Sequence, residues 1–300
     1  MQRASRKYVT TEHSRYNTPQ ITVKPGEIFE VETQLCSGEW LKDINDVWRD
    51  ELATGPNPTV VVAVDGASPG DSLLVHIHNI EPDVIGYTGF IGRGHGFANR
   101  IIDRDWGYNL RVVRIEDGFI RFSPEKRIPV NPMIGTLGTA PGGDPVSNAR
   151  GGAHGGNMDA QVVRAGAIIT LPIDVPGALL HIGDVHAVQG DGEINGAGGI
   201  ECRSLVTLHT EIVKRPARTG CVRAENDTHL CAVACGDEMD ECCATATREL
   251  LYWMCDRYGM DERDAYLLLG QVMEMRVPQL VNPTHTITAQ IAKSELYLLT

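Results

Sequence analysis

The 300-residue chain reads as a mainly β protein with an α+β C-terminal section. Three observations carry that reading. Short β-branched or alternating runs, punctuated by Gly, Pro and Asp turns, recur as far as Lys214. A helical apolar period of about 3.6 residues sets in only after Asp237. Alternation then returns from His285 to Ile291. We divide the chain into a β-rich core at 1–215, carrying the candidate site, and an α+β section at 216–300 packed on it.

Taken in order, Pro19–Val23 leads through a Lys24-Pro25-Gly26-Glu27 turn into a strand from Ile28 to Leu35, where Glu30 and Glu32 share a face opposite Phe29 and Val31. Leu41, Ile44, Val47, Trp48 and Leu52 have helix-like spacing and predict a short helix or lid, stopped by Gly55-Pro56-Asn57-Pro58. Thr59–Val64, the turn ASPGD at Ala67–Asp71, and Ser72–Ile80 predict a hairpin-like unit, with His76 and His78 on one face of its second strand. Two histidines so placed are either structural or metal ligands. A glycine-rich stretch follows, with Arg93 and His95 in GRGHG; it lacks the strand-to-helix context of a nucleotide loop. Strands are expected at Leu110–Ile115, Gly118–Phe122, Ser204–Lys214, Val222–Ala224 and Leu230–Ala234, with an irregular link at Pro124–Pro132. A helix over Asp237–Arg257 stops at Gly259, and Asp261 caps a second whose apolar side carries Ala265, Leu268 and Leu269.

A net charge of −12 argues against nucleic acid and anionic membrane surfaces as partners, since either would repel it. No stretch has the roughly 18–20 uninterrupted apolar residues of a membrane helix, and the first residues, basic but without an apolar core, are not a secretory signal. Eight cysteines without such a signal suggest reduced thiols in the cytoplasm. Cys231-x3-Cys235 and Cys242-Cys243 do not match a zinc knuckle and read as buried small hydrophobes. Cys36 is a possible amidase nucleophile without an evident local histidine partner.

Ligand-type side chains concentrate between Gly151 and Glu201, in GGAHGGNMD and GDVHAVQGDGEINGAGGIE. Here His154, Asp159, Asp184, His186, Asp191, Glu193 and Glu201 lie on glycine-bent backbone with the amides Asn157 and Gln189. Extended backbone from Ala178 to His186 puts Asp184 and His186, two apart, on one face, which makes half of a metal site or an oriented acid/base pair. His154–Asp159 and Asp191-Gly-Glu193 are bends that converge at strand ends.

HGGNMD and PGALLHIGDVHAVQGDGE resemble the two signature stretches of the acetamidase/formamidase family, hydrolases of short carboxylic amides. TEHSRYN, VKPGEIFEVET, VDGASPGDSLLVHIHNIEP, NPMIGTLGTAP and the DECCATATRELLYWMCDRYGMDERDAYLLLGQVMEMRVPQLVN run agree in order, so the resemblance spans nearly the whole chain. It implies sandwich-like and barrel-like β portions, a homodimer or larger homo-oligomer, and characteristic positions at Glu12, His13, Glu32 and the final Glu201. Two stretches depart from the pattern: NGAGG before Glu201 and SGEW at Ser37–Trp40, each able to alter substrate choice.

Amide hydrolysis needs an activated nucleophile, a positive partner for the oxyanion and a proton donor. A divalent metal on Asp159, Asp184, His186 and Glu201, zinc first and calcium or magnesium next, meets the first two needs. Glu193, with His186 and Asp191, is assigned to proton transfer, and Asn157, Gln189, His154, Glu12 and His13 to holding a small amide. Two alternatives stay open: a metal-independent hydrolase of another amide, lactam or imide using Glu32, Glu193 or Cys36, and a non-catalytic β protein binding small polar ligands.

Overall fold

The computed structural model describes residues 1–91, 97–104, 107–216 and 220–296. Arg93 and His95 lie outside the described residues.

Eighteen described strands join in one continuous, curled hydrogen-bonded network, and Glu12–His13 pairs separately with Val146–Ser147. The protein is mostly β, with its two long helices toward the C-terminus, as the patterning led us to expect, and a single helical turn at Ala98–Ile101. The longest strand, Ser72–Ile91, runs along Glu201–Val213 on one side. On its other side it meets Ile168–Pro172 near its start and Tyr108–Glu116 near its end. Leu180–His186 lies between Met133–Thr139 and Thr59–Val64, both antiparallel to it. Every residue of Leu180–His186 and of Met133–Thr139 is buried. Such doubly covered strands carry apolar side chains on one face and can hold polar machinery on the other. Leu180, Ile182, Leu137, Val60, Val62, Val206 and Leu208, all fully buried, supply the apolar side.

A second core forms under helices Met239–Tyr258 and Glu262–Val272. Ala246, Leu250 and Met254 pack on Ala232, Ile287, Ala289 and Ile291 from strands His229–Gly236 and His285–Ala292. The first helix stops at Gly259, whose φ of 65° lets its N–H reach the Cys255 carbonyl. Asp261 caps the next, accepting from the N–H groups of Arg263 and Asp264 at 3.0 and 3.3 Å. Val222–Glu225 pairs back onto Ile168–Pro172, so the C-terminal section continues the same sheet.

Three local expectations need correction, and one strand went unread. Leu41–Leu52 forms only a 3-10 turn at Asp50–Leu52, because the Asp46 carboxylate takes the N–H groups of Lys42 and Asp43 at 2.6 and 2.8 Å. Such side-chain bonds compete with the helical ladder, while Trp40 and Leu41 still bury. Thr59–Val64 and Ser72–Ile91 are not a hairpin: the first pairs with Leu180–Gly183 and, in parallel, with Ile21–Val23. Arg127–Pro129 is a short strand against Phe119–Arg121, within the stretch read as irregular. Glu274–Gln279 is a strand that its charges and Pro278 concealed.

Leu250→Ala opens a void in the second core, and we expect it to lower unfolding free energy by about 2–5 kcal/mol, read from denaturant titration.

Candidate active site

Two backbone registers assemble the site. His186 and Glu201 are direct cross-strand partners, and Leu180–His186 runs beside Met133–Thr139 in a register that brings Gly135 against Asp184. A methyl group at Gly135 would run into Asp159 Oδ1 and Asp184 Oδ2, so only a missing side chain leaves room for both carboxylates. Asp159, Asp184 and Glu193 all take left-handed backbone, with φ of 46°, 55° and 46°. Non-glycine residues rarely do so, and the strain, of order 1–3 kcal/mol each, is held by the packed surroundings.

Asp159, Asp184, His186, Glu193 and Glu201 are buried together. His186 Nε2 lies 3.2 Å from Glu201 Oε1, 3.3 Å from Asp184 Oδ1 and 3.9 Å from Asp159 Oδ1. The ion pairs of these three carboxylates all go to this one imidazole. Asp159 Oδ1, Glu193 Oε2 and Glu201 Oε2 are buried without a hydrogen-bond partner. Burial and the Asp184 charge raise the Asp159 carboxyl to about 7. Burial and Asp159 push Glu193 well above the carboxylate range, and burial also raises Glu201. Burial disfavours the His186 imidazolium, but Glu201 and Asp184 outweigh it and hold its pKa well above the ordinary value. Four acidic groups around one base form a hole for positive charge. Asp159, His186 and Glu193 present ligand atoms within 4.8 Å of one another, as do Cys36, Asp184 and Glu201.

The amides brace these groups. Gln189 Nε2 donates to the carbonyls of Asp159 and Pro278 at 2.7 and 3.1 Å, which fixes its Oε1 as acceptor from His186 Nδ1. Nδ1 therefore carries a proton in either state of the ring: as imidazolium its Nε2–H faces the carboxylates, and as a neutral ring beside a cation its Nε2 lone pair would face the ion, the arrangement of a metal-ligating histidine. Asn157, in the orientation that satisfies both ends of its amide, donates toward Asp184 Oδ2 and Asp159 Oδ2 at 3.0 and 3.2 Å and accepts from Asn282 at 2.9 Å. Thr136 donates to Asp184 Oδ2 at 3.1 Å. Gly135 and Thr136 lie in NPMIGTLGTAP and Asn282 ends the C-terminal run, both stretches that resemble the family, but sequence reading gave none of the three a role at the site.

The glycines of the NGAGG departure have a use. A Cβ on Gly198 would collide with Glu201 Oε1 and approach Glu193 Oε1 to 3.2 Å. The loop thus passes close over both carboxylates. The SGEW departure also borders the site: Ser37 Oγ lies 2.5 Å from the Tyr87 hydroxyl and accepts from Trp40 Nε1 at 3.0 Å. Cys36 Sγ sits 3.0 Å from the same hydroxyl. Burial, then the Glu201 and Asp184 charges, push the Cys36 thiol well up, which disfavours a thiolate nucleophile. All eight cysteines are free thiols.

Other candidates fall elsewhere. Asp191 does not join the cluster; it is exposed and accepts from Arg276 at 2.9 and 3.1 Å. Glu12 is exposed on its two-residue strand. Glu32 faces outward, 3.3 Å from Ser5 Oγ and 3.8 Å from Arg3. His13 and His154 instead build a separate buried group with His181, ring centroids 4.9 and 4.3 Å from His13. Burial lowers all three pKa values, those of His154 and His181 to about 4.

The sequence profile of the acetamidase/formamidase family matches residues 3–149 and 145–294. The acetamidase of Mycolicibacterium smegmatis is 29% identical over 274 residues, 67% of this chain and 66% of that protein. The formamidase of Methylophilus methylotrophus is 25% identical over 266 residues, 67% of this chain and 64% of that protein. The chain thus spans just under two thirds of the length of both relatives. The crystal structure of acetamidase from Bacillus halodurans superposes with a TM-score of 0.88 at 28% identity, covering 99% of this chain and all of that one.

Because His154 is neutral when folded, the unfolded chain binds the extra proton below about pH 6.5. Its contribution is therefore present above that pH and lost as pH falls toward about 4. Unfolding titrations should show His154→Gln gaining on the wild type across this window, by about 3 kcal/mol at most.

Proposed function

The chain belongs to the acetamidase/formamidase family, and from that premise we propose that it hydrolyses the C–N bond of a short linear amide to carboxylate and ammonia. The observation that carries the reading is the burial of Asp159, Asp184, Glu193 and Glu201 around His186, with three carboxylate oxygens lacking a hydrogen-bond partner. A binding module gains nothing from burying so many proton-moving groups in one place. The enclosure of the cluster supports a substrate of formamide or acetamide size.

Asp159, Asp184, His186 and Glu201 would hold a divalent cation, and the unpartnered oxygens fit one. The mixed nitrogen and oxygen donors favour zinc over calcium or magnesium. Such an ion, when bound, makes water nucleophilic at neutral pH and polarises the amide carbonyl. Gln189 keeps the His186 lone pair directed inward, and Asn157, Thr136 and Asn282 hold the carboxylates. These amides thus position the machinery, where sequence reading had given Asn157 and Gln189 to the substrate. Glu193, whose burial lets it carry a proton, accepts one from the attacking water. It then returns that proton to the nitrogen, since ammonia leaves only after protonation. Exclusion of bulk water strengthens each of these interactions.

In the same reading the enzyme works as a homodimer or larger homo-oligomer in the cytoplasm without a nucleic-acid or membrane partner. The charge of −12 supports the former exclusion, and no helix among the described residues is long and apolar enough to cross a membrane.

Ammonia release from a panel of short amides tests the proposal. Chelation should abolish turnover and zinc restore it, whereas turnover untouched by chelation would shift the chemistry to the carboxylates or Cys36. No ammonia from any amide would overturn the reading. Glu193→Gln should lower kcat by about 10²–10⁴ with a smaller change in KM. Gln189→Leu should weaken zinc affinity about 10–100-fold in a direct titration.

A further inference from the structure

We propose that His76, His209 and Glu211 form a second divalent-cation site, suited to zinc, on the outward face of the sheet and separate from the buried centre. His76 and His209 are cross-strand partners in the pairing of Ser72–Ile91 with Glu201–Val213. Glu211 and His78 stand two residues further along their strands, on the same face. The strand period that sends Val75 and Ile77 into the core therefore gathers three imidazoles and a carboxylate outside it.

The Glu211 carboxylate spans the two rings. Its Oε2 lies 3.8 Å from His76 Nε2 and its Oε1 lies 3.6 Å from His209 Nε2. All three residues offer ligand atoms within 4.8 Å of one another. Tetrahedral zinc, with bonds of about 2.0–2.1 Å, sets adjacent ligands about 3.4 Å apart. Only side-chain adjustments of a few tenths of an ångström separate the two carboxylate contacts from that spacing.

His78 supplies the supporting bond. Its Nε2 lies 2.7 Å from His209 Nδ1. With the proton on His209 Nδ1, donated to His78, the His209 Nε2 lone pair points at Glu211 and His76. That is how the second nitrogen of a metal-ligating histidine is commonly held. The His76 and His209 rings stack at 4.1 Å and 16°, and His78 stacks on His209 at 4.9 Å, which keeps the three imidazoles together; a ring must turn out of the stack for both Nε2 lone pairs to meet on one ion. His76 Nε2 is buried and has no hydrogen-bond partner. A purely structural stack would leave that nitrogen unsatisfied; a bound cation satisfies it. The His76 and His209 imidazoles are mostly covered while Glu211 is half exposed, which leaves a coordination position open to water or an outside ligand. A His2Glu set with an open position is a recurrent zinc arrangement.

Zinc alone is the probe. Chelator-stripped full-length protein is dialysed against buffered zinc and the bound metal counted per chain, for the wild type, His209→Ala and Glu211→Gln. Folding of each variant is checked by circular dichroism. The wild type should bind one zinc more than His209→Ala, and that difference should persist in an Asp184→Asn background, where the buried centre is impaired. Glu211→Gln should weaken the outer site at least tenfold, and His78→Phe should weaken it about tenfold while removing no ligand. Zinc should also shift the ring-nitrogen NMR signals of His76 and His209. Equal zinc counts in the wild type and Glu211→Gln, with unmoved signals, would overturn the proposal. Because the readout is a difference between variants at the outer face, it fails or holds independently of amide turnover.

Discussion

Buried negative charge seeking a positive partner is the constraint on which the rest of the site depends. Asp159, Asp184, Glu193 and Glu201 share one buried neighbourhood, and the ion pairs of three of them all reach His186. Isolated buried carboxylates cost several kcal/mol each unless they are neutralised, paired or bound to a cation. The surrounding backbone is shaped to hold them despite that cost. Gly135 and Gly198 give up side-chain volume beside carboxylate oxygens, and three acidic residues accept left-handed backbone. A fold under no functional demand would relax each of these features.

The arrangement also sorts the polar residues into two kinds. Those within reach of the imidazole and carboxylates can hold charge or move protons. Gln189, Asn157, Thr136 and Asn282 instead fix tautomer and rotamer, which is why they point at the site's own atoms. Asn282 and the Pro278 carbonyl come from the C-terminal section. That section therefore stabilises a second core and also completes the site across the sheet.

Part of the centre was legible from spacing: Asp184 and His186, two apart on an apolar strand, do meet, but through a left-handed Asp184 (φ 55°) that interrupts the regular strand period, while the glycine-bent stretches around Asp159 and Glu193 turn back toward them. Asp191 misled through adjacency: two residues from Glu193, it lies on the far side of a tight turn, where Arg276 holds it. Thr136 and Asn282 lie in stretches that resemble the family, but their contact with the carboxylates was hidden because only tertiary register brings them in. The same limit hid the partners of Thr59–Val64, since local patterning announces a strand but not the one beside it. At Leu41–Leu52 the apolar spacing was genuine, yet Asp46 captured the backbone N–H groups a helix required. The His76–His78 pair was visible as a face, but its register with His209 was not.

The most direct test of the central claim is a crystal of the purified protein measured at the zinc absorption edge. An anomalous peak between Asp159, Asp184, His186 and Glu201 is the predicted result. Full amide turnover from crystals and solution lacking any cation there would contradict it, and would mean that the four carboxylates are neutralised by protons alone.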